Sequence, residues 1–401
     1  MTDLPFGPAT ESEQTQSSRI YPFRPSTVIV VGAGLVGVSA AWWLQSHGHR
    51  VLIVDPGGGS DDESQAASGS GDGASLNGSQ AALGVLMARV FHRSRGRAWR
   101  LRQQSLDLWG QWRRILASRG RPIPWRPGLL LLARDSAELE RHKELVADPT
   151  RQGMGLQLWS QEKLAELSPA GPVAVGGLFS EADGQLDPGL TLHALLSDGI
   201  EAGLCHQSGR AVALEPRGGG WQVRLEPGGV AEAEWVLVCA GVASGALLEP
   251  LDGLKPMEPV LGQALELERA PNDAPKPTPP ETLWNWPGAV VQGGINLVPR
   301  PDLPGGRRFW LGATLEPGLG ADPAQLETLR ELGGAAPAWL EAAHERRRWQ
   351  GLRCRPLGQP APLLEQVAPG LLLLSGHYRN GVLLAPASAD WALRWMAART
   401  K

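Results

Sequence analysis

The sequence is poor in cysteine, with only Cys205, Cys239 and Cys354 among 401 residues. An odd number at wide spacing builds neither a disulfide framework nor a metal site, and it fits a reducing compartment. Tyrosine is scarcer still: Tyr21 and Tyr378 are the only two. No strong charge of either sign is present. With 38 basic and 41 acidic residues the net charge is −3, which argues against nucleic acid or an anionic membrane surface as the main partner. No charge-free run is long enough to span a bilayer. Residues 1–25 are polar and lack the apolar core of a signal peptide, so they are expected to be a disordered tail on a cytoplasmic protein.

What is present is tryptophan (16), glycine (51) and proline (34), the last two implying many turns. The length implies two or three domains and a sizeable core. Thr27–Val31 (TVIVV) reads as a strand, the segment after it has helical spacing up to Gly48, and Val51–Pro56 reads as a second strand. Together they form a βαβ unit. Residues 57–78, rich in Gly, Ser and Asp, are expected to form a mobile surface loop. Ser79–Met87 has helical character, and the Arg-rich segment from Met87 to Arg114, with Trp99, Trp109 and Trp112, predicts a long amphipathic helix. Strands are expected at 128–133, 221–226 and 234–241. A strand pair is expected from INLVPR and RRFWLGATLE, and helices over 325–332 and 338–348. The pro-rich stretch 270–280 reads as a surface loop. The pattern is α/β at both ends with a β-rich middle, which predicts two intertwined domains.

Gly32, Gly34 and Gly37 fit G-x-G-x-x-G between the first strand and its helix. The first glycine permits a tight turn, the second lets backbone approach a pyrophosphate, and the third lets helix pack on strand. The phosphates then meet free N–H groups at a helix N-terminus. Asp55 ends the second strand, near the ~20-residue offset expected of an acid that accepts ribose hydroxyls. A carboxylate there disfavours a 2′-phosphate. The motif alone does not separate FAD from NAD.

GAGLVG with Asp55, SQAALGVL, CAGVAS, GATLE, WQGLRCRP and GHYRNGVLLAP follow one another in an order that resembles the FAD-dependent D-amino-acid oxidase family, and within it the glycine oxidases of thiazole synthesis. The resemblance runs from about Thr27 to near the end. It implies a Rossmann-like FAD-binding domain of discontinuous segments (26–110, 172–255, 350–401) with an inserted antiparallel substrate domain (111–171, 256–349). It implies cofactor contacts from Gly32, Gly34, Leu35, Val36, Gly37 and Asp55; from Ser79, Gln80, Gly84, Val85 and Leu86; and from Ala211 and Gly241. The C-terminal contacts would be His377, Arg379, Asn380, Gly381, Val382 and Leu383, with the loop from Gly376 lying against the isoalloxazine ring. A strand, a glycine-rich loop and a helix beginning near Pro386 would aim backbone N–H groups at the side of the flavin that gains negative charge on reduction.

An amino-acid substrate offers a carboxylate and an amine. A buried carboxylate is best met by the planar fork of arginine. By resemblance Arg353 in GLRCRP is that clamp and Arg379 lines the substrate side of the flavin; Tyr378 can pack its apolar body on the pocket and offer its hydroxyl. Arg355 is close enough in a strand to share the face of Arg353. Arg346 to Arg348 read as a solvated basic edge. His377 reads as a hydrogen-bonded loop residue rather than a base. Asn296 stands where glycine oxidases carry a tyrosine, and RCRPLGQPAP departs from the family loop after the clamp, so substrate size preference is open. The implied activity is oxidation of glycine or a small D-amino acid by hydride transfer to flavin N5, giving an imine and, with oxygen, hydrogen peroxide. An amine dehydrogenase using another acceptor, and a flavin-binding protein without turnover, are the alternatives. A homo-oligomer is compatible with either.

Overall fold

A computed structural model describes residues 25–57, 77–251, 256–270 and 284–399. The expected tail, nearly all of loop 57–78 and loop 270–280 lie outside the described residues. The β-branched run Thr27–Val31 is the centre of a six-stranded sheet. Its neighbours Trp235–Val238 and Arg50–Asp55 run parallel to it, followed outward by Leu371–Ser375 on one side and Cys205–Ser208 on the other. Leu363–Ala368 closes one edge antiparallel. Strands this apolar on both faces need cover on both. Val28, Val30, Leu372 and Leu374 pack against helices, whereas Ile29, Val31, Leu371 and Leu373 pack against Trp221 and Val223 of a three-stranded sheet. The helices are Leu35–Ser46, Arg97–Ser118, Pro188–Glu201 and Gly381–Ala397.

The second body is a ten-stranded, mostly antiparallel sheet. The long strand Met257–Glu268 lies between His344–Pro356 and Arg308–Gly312, and the sheet continues sideways through Ile295–Arg300, Ala289–Gln292, Trp125–Ala133 and Gly176–Leu186. Ile295–Arg300 and Arg308–Gly312 form the expected antiparallel pair. The fold is thus the expected mixed α/β architecture.

Four local expectations are corrected. Ser79–Met87 is not helical: a turn over residues 78–81 leads to the two-residue strand Val85–Leu86. The Asn77 side chain accepts from the amides of Ser79 and Gln80 (2.8 and 3.4 Å), and Gly84 adopts φ +73° where a Cβ would lie 1.8 Å from the Leu186 carbonyl oxygen. The long helix begins at Arg97, not Met87. Before it, the buried carboxylate of Asp183 gathers the amides of Ala88, Arg89 and Val90 at 2.7–3.1 Å, which competes with helix. The segment 338–348 is helical only over Ala338–Glu341; from His344 it is strand, because it pairs along the whole of Met257–Glu268. Composition favoured helix and the tertiary ladder overrode it.

The fourth correction concerns the last helix. It begins at Gly381, so Pro386 is internal. Proline has no N–H for the carbonyl four residues back. That carbonyl, Val382, accepts instead from Trp109 Nε1 at 3.0 Å. The Ser105 hydroxyl donates to Leu383 O (2.5 Å) and accepts from Ala387 N (3.1 Å), so helix Arg97–Ser118 repairs the interrupted ladder from outside.

Candidate active site

The glycine-rich turn takes the form its spacing requires. Gly32 sits at φ +110°, and a Cβ there would meet the Cys239 carbonyl at 2.7 Å. A Cβ on Gly37 would stand 1.9 Å from Gly32 O. Gly34 precedes helix Leu35–Ser46, whose first amide donates to Ser79 Oγ at 2.9 Å; a Cβ on Gly34 would fall 3.2 Å from that hydroxyl. Asp55 accepts from Ala33 N (2.7 Å) and Gly57 N (2.9 Å). Gly209 N donates to Asp55 O at 2.9 Å, which brings the start of strand Arg210–Arg217, with Ala211, beside the acid. Gly241 lies at φ +56° just beyond strand Trp235–Val238, its carbonyl held by Ser375 Oγ at 3.1 Å. Leu35 is buried and Val36 half-buried, so their backbone rather than their side chains is offered here. Gln80 is exposed, Val85 half-buried and Leu86 buried. A helix start without a Cβ at its entrance, a hydroxyl and a carboxylate fit a dinucleotide's pyrophosphate and ribose.

The turn and the clamp strand touch. A Cβ on Gly78 would lie 2.5 Å from Leu352 O, one on Gly351 would lie 2.4 Å from Ala81 Cβ, and Trp349 Nε1 donates to Ala81 O at 3.0 Å. This carries Arg353, 321 residues after Gly32 in sequence, to the same region. Arg353 is mostly buried. Its Nη1 donates to Thr314 O (3.1 Å) and Leu261 O (3.3 Å), and it has no carboxylate partner among the described residues. Burial, then the charge of Arg379, bring its pKa down to about 10, so it remains a cation at neutral pH. The guanidinium lies across Gly262: a Cβ there would fall 2.1–2.4 Å from Nη1, Nη2 and Cζ.

The nearby acid Glu316 is buried and does not pair with Arg353. Its oxygens accept from Gln263 Nε2 (3.0 Å), Asp322 N (2.5 Å) and the Thr314 hydroxyl. Gln263 N donates to Thr314 Oγ1 at 2.7 Å. Glu316 therefore fixes the Thr314 turn whose carbonyl holds the arginine. Gly262, Thr314, Glu316 and Asp183 are absent from the sequence-based set of site residues. No local motif marks them; only the pairing of distant strands does.

The C-terminal loop closes the site. Gly376 (φ +64°) packs where a Cβ would meet Pro356 Cγ at 2.7 Å. His377 is buried and its pKa falls to about 3, through burial and then the charge of Arg97. Its Nε2 lies 2.8 Å from Ser388 Oγ, whose proton is directed at Leu384 O (2.8 Å). It is thus a neutral loop residue, and its ring is tied into the helix. Tyr378 holds φ +53°, a sparsely populated region for a non-glycine, and its ring centroid lies 5.9 Å from the Arg355 guanidinium. Arg355 itself is ion-paired with Glu258. Arg379 is exposed, and its Nη2 donates to Gly294 O at 2.9 Å, at the tip of the hairpin that carries Asn296. Asn296 Nδ2 donates to Gly312 O at 3.0 Å. Asn380 N donates to His377 O at 3.0 Å, and Gly381 starts the helix. Val382 and Leu383 are buried in the core, so only their backbone can face a ligand. Arg353, Tyr378 and Arg379 are therefore brought together. Arg346 and Arg348, by contrast, pair with Glu268 (2.6 Å) and Glu345 (2.7 Å), as a basic edge should. No cluster of metal ligands is found among the described residues, and none of their helices is long and apolar enough to cross a membrane.

A glycine-rich turn at a helix start on a parallel sheet, with a strand bearing arginines from an antiparallel one reaching the same region, is an arrangement suited to a dinucleotide-dependent oxidoreductase. The chain belongs to the FAD dependent oxidoreductase family, whose model matches residues 27–395. It is 26% identical over 373 residues to glycine oxidase of Bacillus licheniformis, covering 90% of each chain. It is 27% identical over 310 residues to the tRNA 5-methylaminomethyl-2-thiouridine biosynthesis bifunctional protein of Cupriavidus metallidurans, covering 77% of this chain but only 42% of that one. The chain thus spans less than half the length of that relative. Among solved structures, glycine oxidase from Geobacillus kaustophilus superposes with a TM-score of 0.74 at 24% identity, over 94% of this chain and 95% of that one. The protein is an FAD-dependent oxidoreductase.

Proposed function

We propose that the chain oxidises glycine or a small D-amino acid at its CH–NH₂ group. The observation that carries this reading is Arg353, a mostly buried cation with carbonyl partners and no carboxylate partner among the described residues. A buried charge left so is costly, and a ligand carboxylate offsets that cost with two parallel hydrogen bonds. We also assign the sequence-identified residues at 32–37, 55, 79–86, 211, 241 and 377–383 to the cofactor's surroundings. The bound flavin supplies a two-electron acceptor. Arg353 would hold the α-carboxylate and orient the α C–H, with Tyr378 packing against the substrate's apolar side. Two cations near the amine disfavour its ammonium form, so the amine binds neutral with its lone pair available. Loss of the C–H electron pair as hydride to that acceptor, with the lone pair forming the C=N bond, would give an iminium that releases a proton and is hydrolysed by water. No protein base is required, in keeping with a neutral, buried His377.

Holoenzyme mixed anaerobically with glycine, sarcosine or D-alanine should lose its flavin absorbance, and Arg353→Ala should slow that loss at least a hundredfold. No bleaching with any amine would overturn the reading. Peroxide yield compared with dye reduction then tells an oxidase, for which oxygen is the acceptor, from a dehydrogenase. A role in thiazole synthesis is the further expectation, tested by whether the gene supports thiamine-independent growth.

A further inference from the structure

The site holds more positive charge than a lone amino-acid carboxylate needs. Arg355 is matched by Glu258, and Glu316 is occupied by neutral donors. Arg353 and Arg379 remain, each held only by backbone carbonyls and neither in an ion pair with a described residue. Their anchors lie on one continuous wall. Thr314 O holds Arg353, and Gly294 O holds Arg379. Between these anchors the Asn296 amide is tied to Gly312 O across the strand pair. Asn296 lies two residues beyond Gly294, which sits in the hairpin turn ahead of strand Ile295–Arg300. Arg379 and Tyr378 are consecutive, and the Tyr378 ring lies 5.9 Å from the guanidinium of Arg355, two residues along the strand from Arg353. The two guanidinium groups are near enough for the charge of Arg379 to depress the pKa of Arg353.

A glycine bound with a neutral amine brings one negative charge, which Arg353 takes. Arg379 then keeps several donors aimed at solvent and one carbonyl. We propose that the substrate carries a second carboxylate on a short arm, with Arg353 binding the α-carboxylate and Arg379 the second. The chemical class is a dicarboxylic amine, the extra group borne either on nitrogen, as in an N-carboxymethyl amino acid, or on the α-carbon, as in an acidic D-amino acid. This rests on the oxidase reading above and narrows it.

The test measures binding before turnover. Oxydiacetate and ethoxyacetate differ in the second carboxylate and have no amine to oxidise. Their dissociation constants follow from the shift each causes in the bound flavin's spectrum. Oxydiacetate should bind about tenfold tighter or more, the effect of one charged hydrogen bond. Arg379→Met should bring the ratio close to one, and Arg353→Met should weaken both ligands. Arg379→Gln replaces the Met variant should that one not fold. In turnover, iminodiacetate compared with N-ethylglycine tests a nitrogen arm, and D-aspartate compared with D-2-aminobutyrate tests a carbon arm. Equal binding of the two ethers, or a preference that survives loss of Arg379, overturns the proposal. If glycine and N-ethylglycine bleach the flavin as well as the diacids do, only this inference falls. If no amine bleaches it, the oxidase reading falls and this one with it.

Discussion

The nucleotide cradle and the substrate cleft are built by opposite strategies. The cradle is local: Gly32, Gly34, Gly37 and Asp55 lie within 24 residues and form one strand–turn–helix–strand unit. The cleft is assembled from three distant segments, with Arg353 laid across Gly262, anchored by Thr314 and faced by Arg379. A local motif fails through its own backbone, whereas an assembled site fails through its supports. The largest expected effect therefore belongs to Gly37→Ala. Its Cβ would sit 1.9 Å from a backbone oxygen that cannot swing away. A loss of more than about 4 kcal/mol is expected, read as apoprotein or insoluble protein by the ratio of flavin to protein absorbance. Normal flavin content and melting temperature would remove the contrast altogether.

Gly262→Ala probes the other strategy. The added methyl displaces the Arg353 guanidinium, whereas the cradle is untouched. kcat/KM for the best amine should fall about a hundredfold, the worth of a two-bond charged fork, with flavin content unchanged. Loss of flavin instead would show the two sites to be one cooperative unit. A smaller effect tests the C-terminal loop, at His377. Its folded pKa of about 3 lies below the ordinary 6.5, so the unfolded chain takes up the proton first. The stability due to the neutral ring is complete above pH 6.5 and is lost as pH falls from there toward 3, by about 1.4 kcal/mol per unit. Urea unfolding at pH 6.5 and 5.0 should differ by about 2 kcal/mol from this group, and His377→Gln should shrink the difference. His49 and His142, also depressed by burial, contribute in the same direction. The smallest effect is Trp109→Phe, which leaves Val382 O without its donor and should cost about 1–2 kcal/mol in thermal unfolding.

Much of the cradle was legible because its chemistry is consecutive: a turn glycine, a helix start and an acid appear in the order in which they act. The C-terminal motif also made Tyr378 and Arg379 legible. Gly262 and Glu316 were not: Gly262 meets Arg353 from a distant strand and Glu316 is tied to Gln263, 53 residues away, and nothing in PVLGQ or TLEP marks a support. Ala338–Arg348 was misread because its alanines and charges satisfy helical preference, yet the strand facing Met257–Glu268 is fixed by a long ladder. Pro386 misled for a related reason. A proline usually opens a helix, and only a tryptophan and a serine from another helix let it sit inside one.

The place of Leu371–Ser375 in the parallel sheet has a kinetic consequence. It lies directly against Trp235–Val238, itself beside Thr27–Val31, so the sheet's middle joins stretches synthesised far apart. On a ribosome the early βαβ unit must wait, one flank uncovered, until most of the polypeptide has emerged. Such topology folds slowly and exposes sticky intermediates, so yield in cells should depend on chaperone supply and growth temperature more than on the melting point of the finished enzyme.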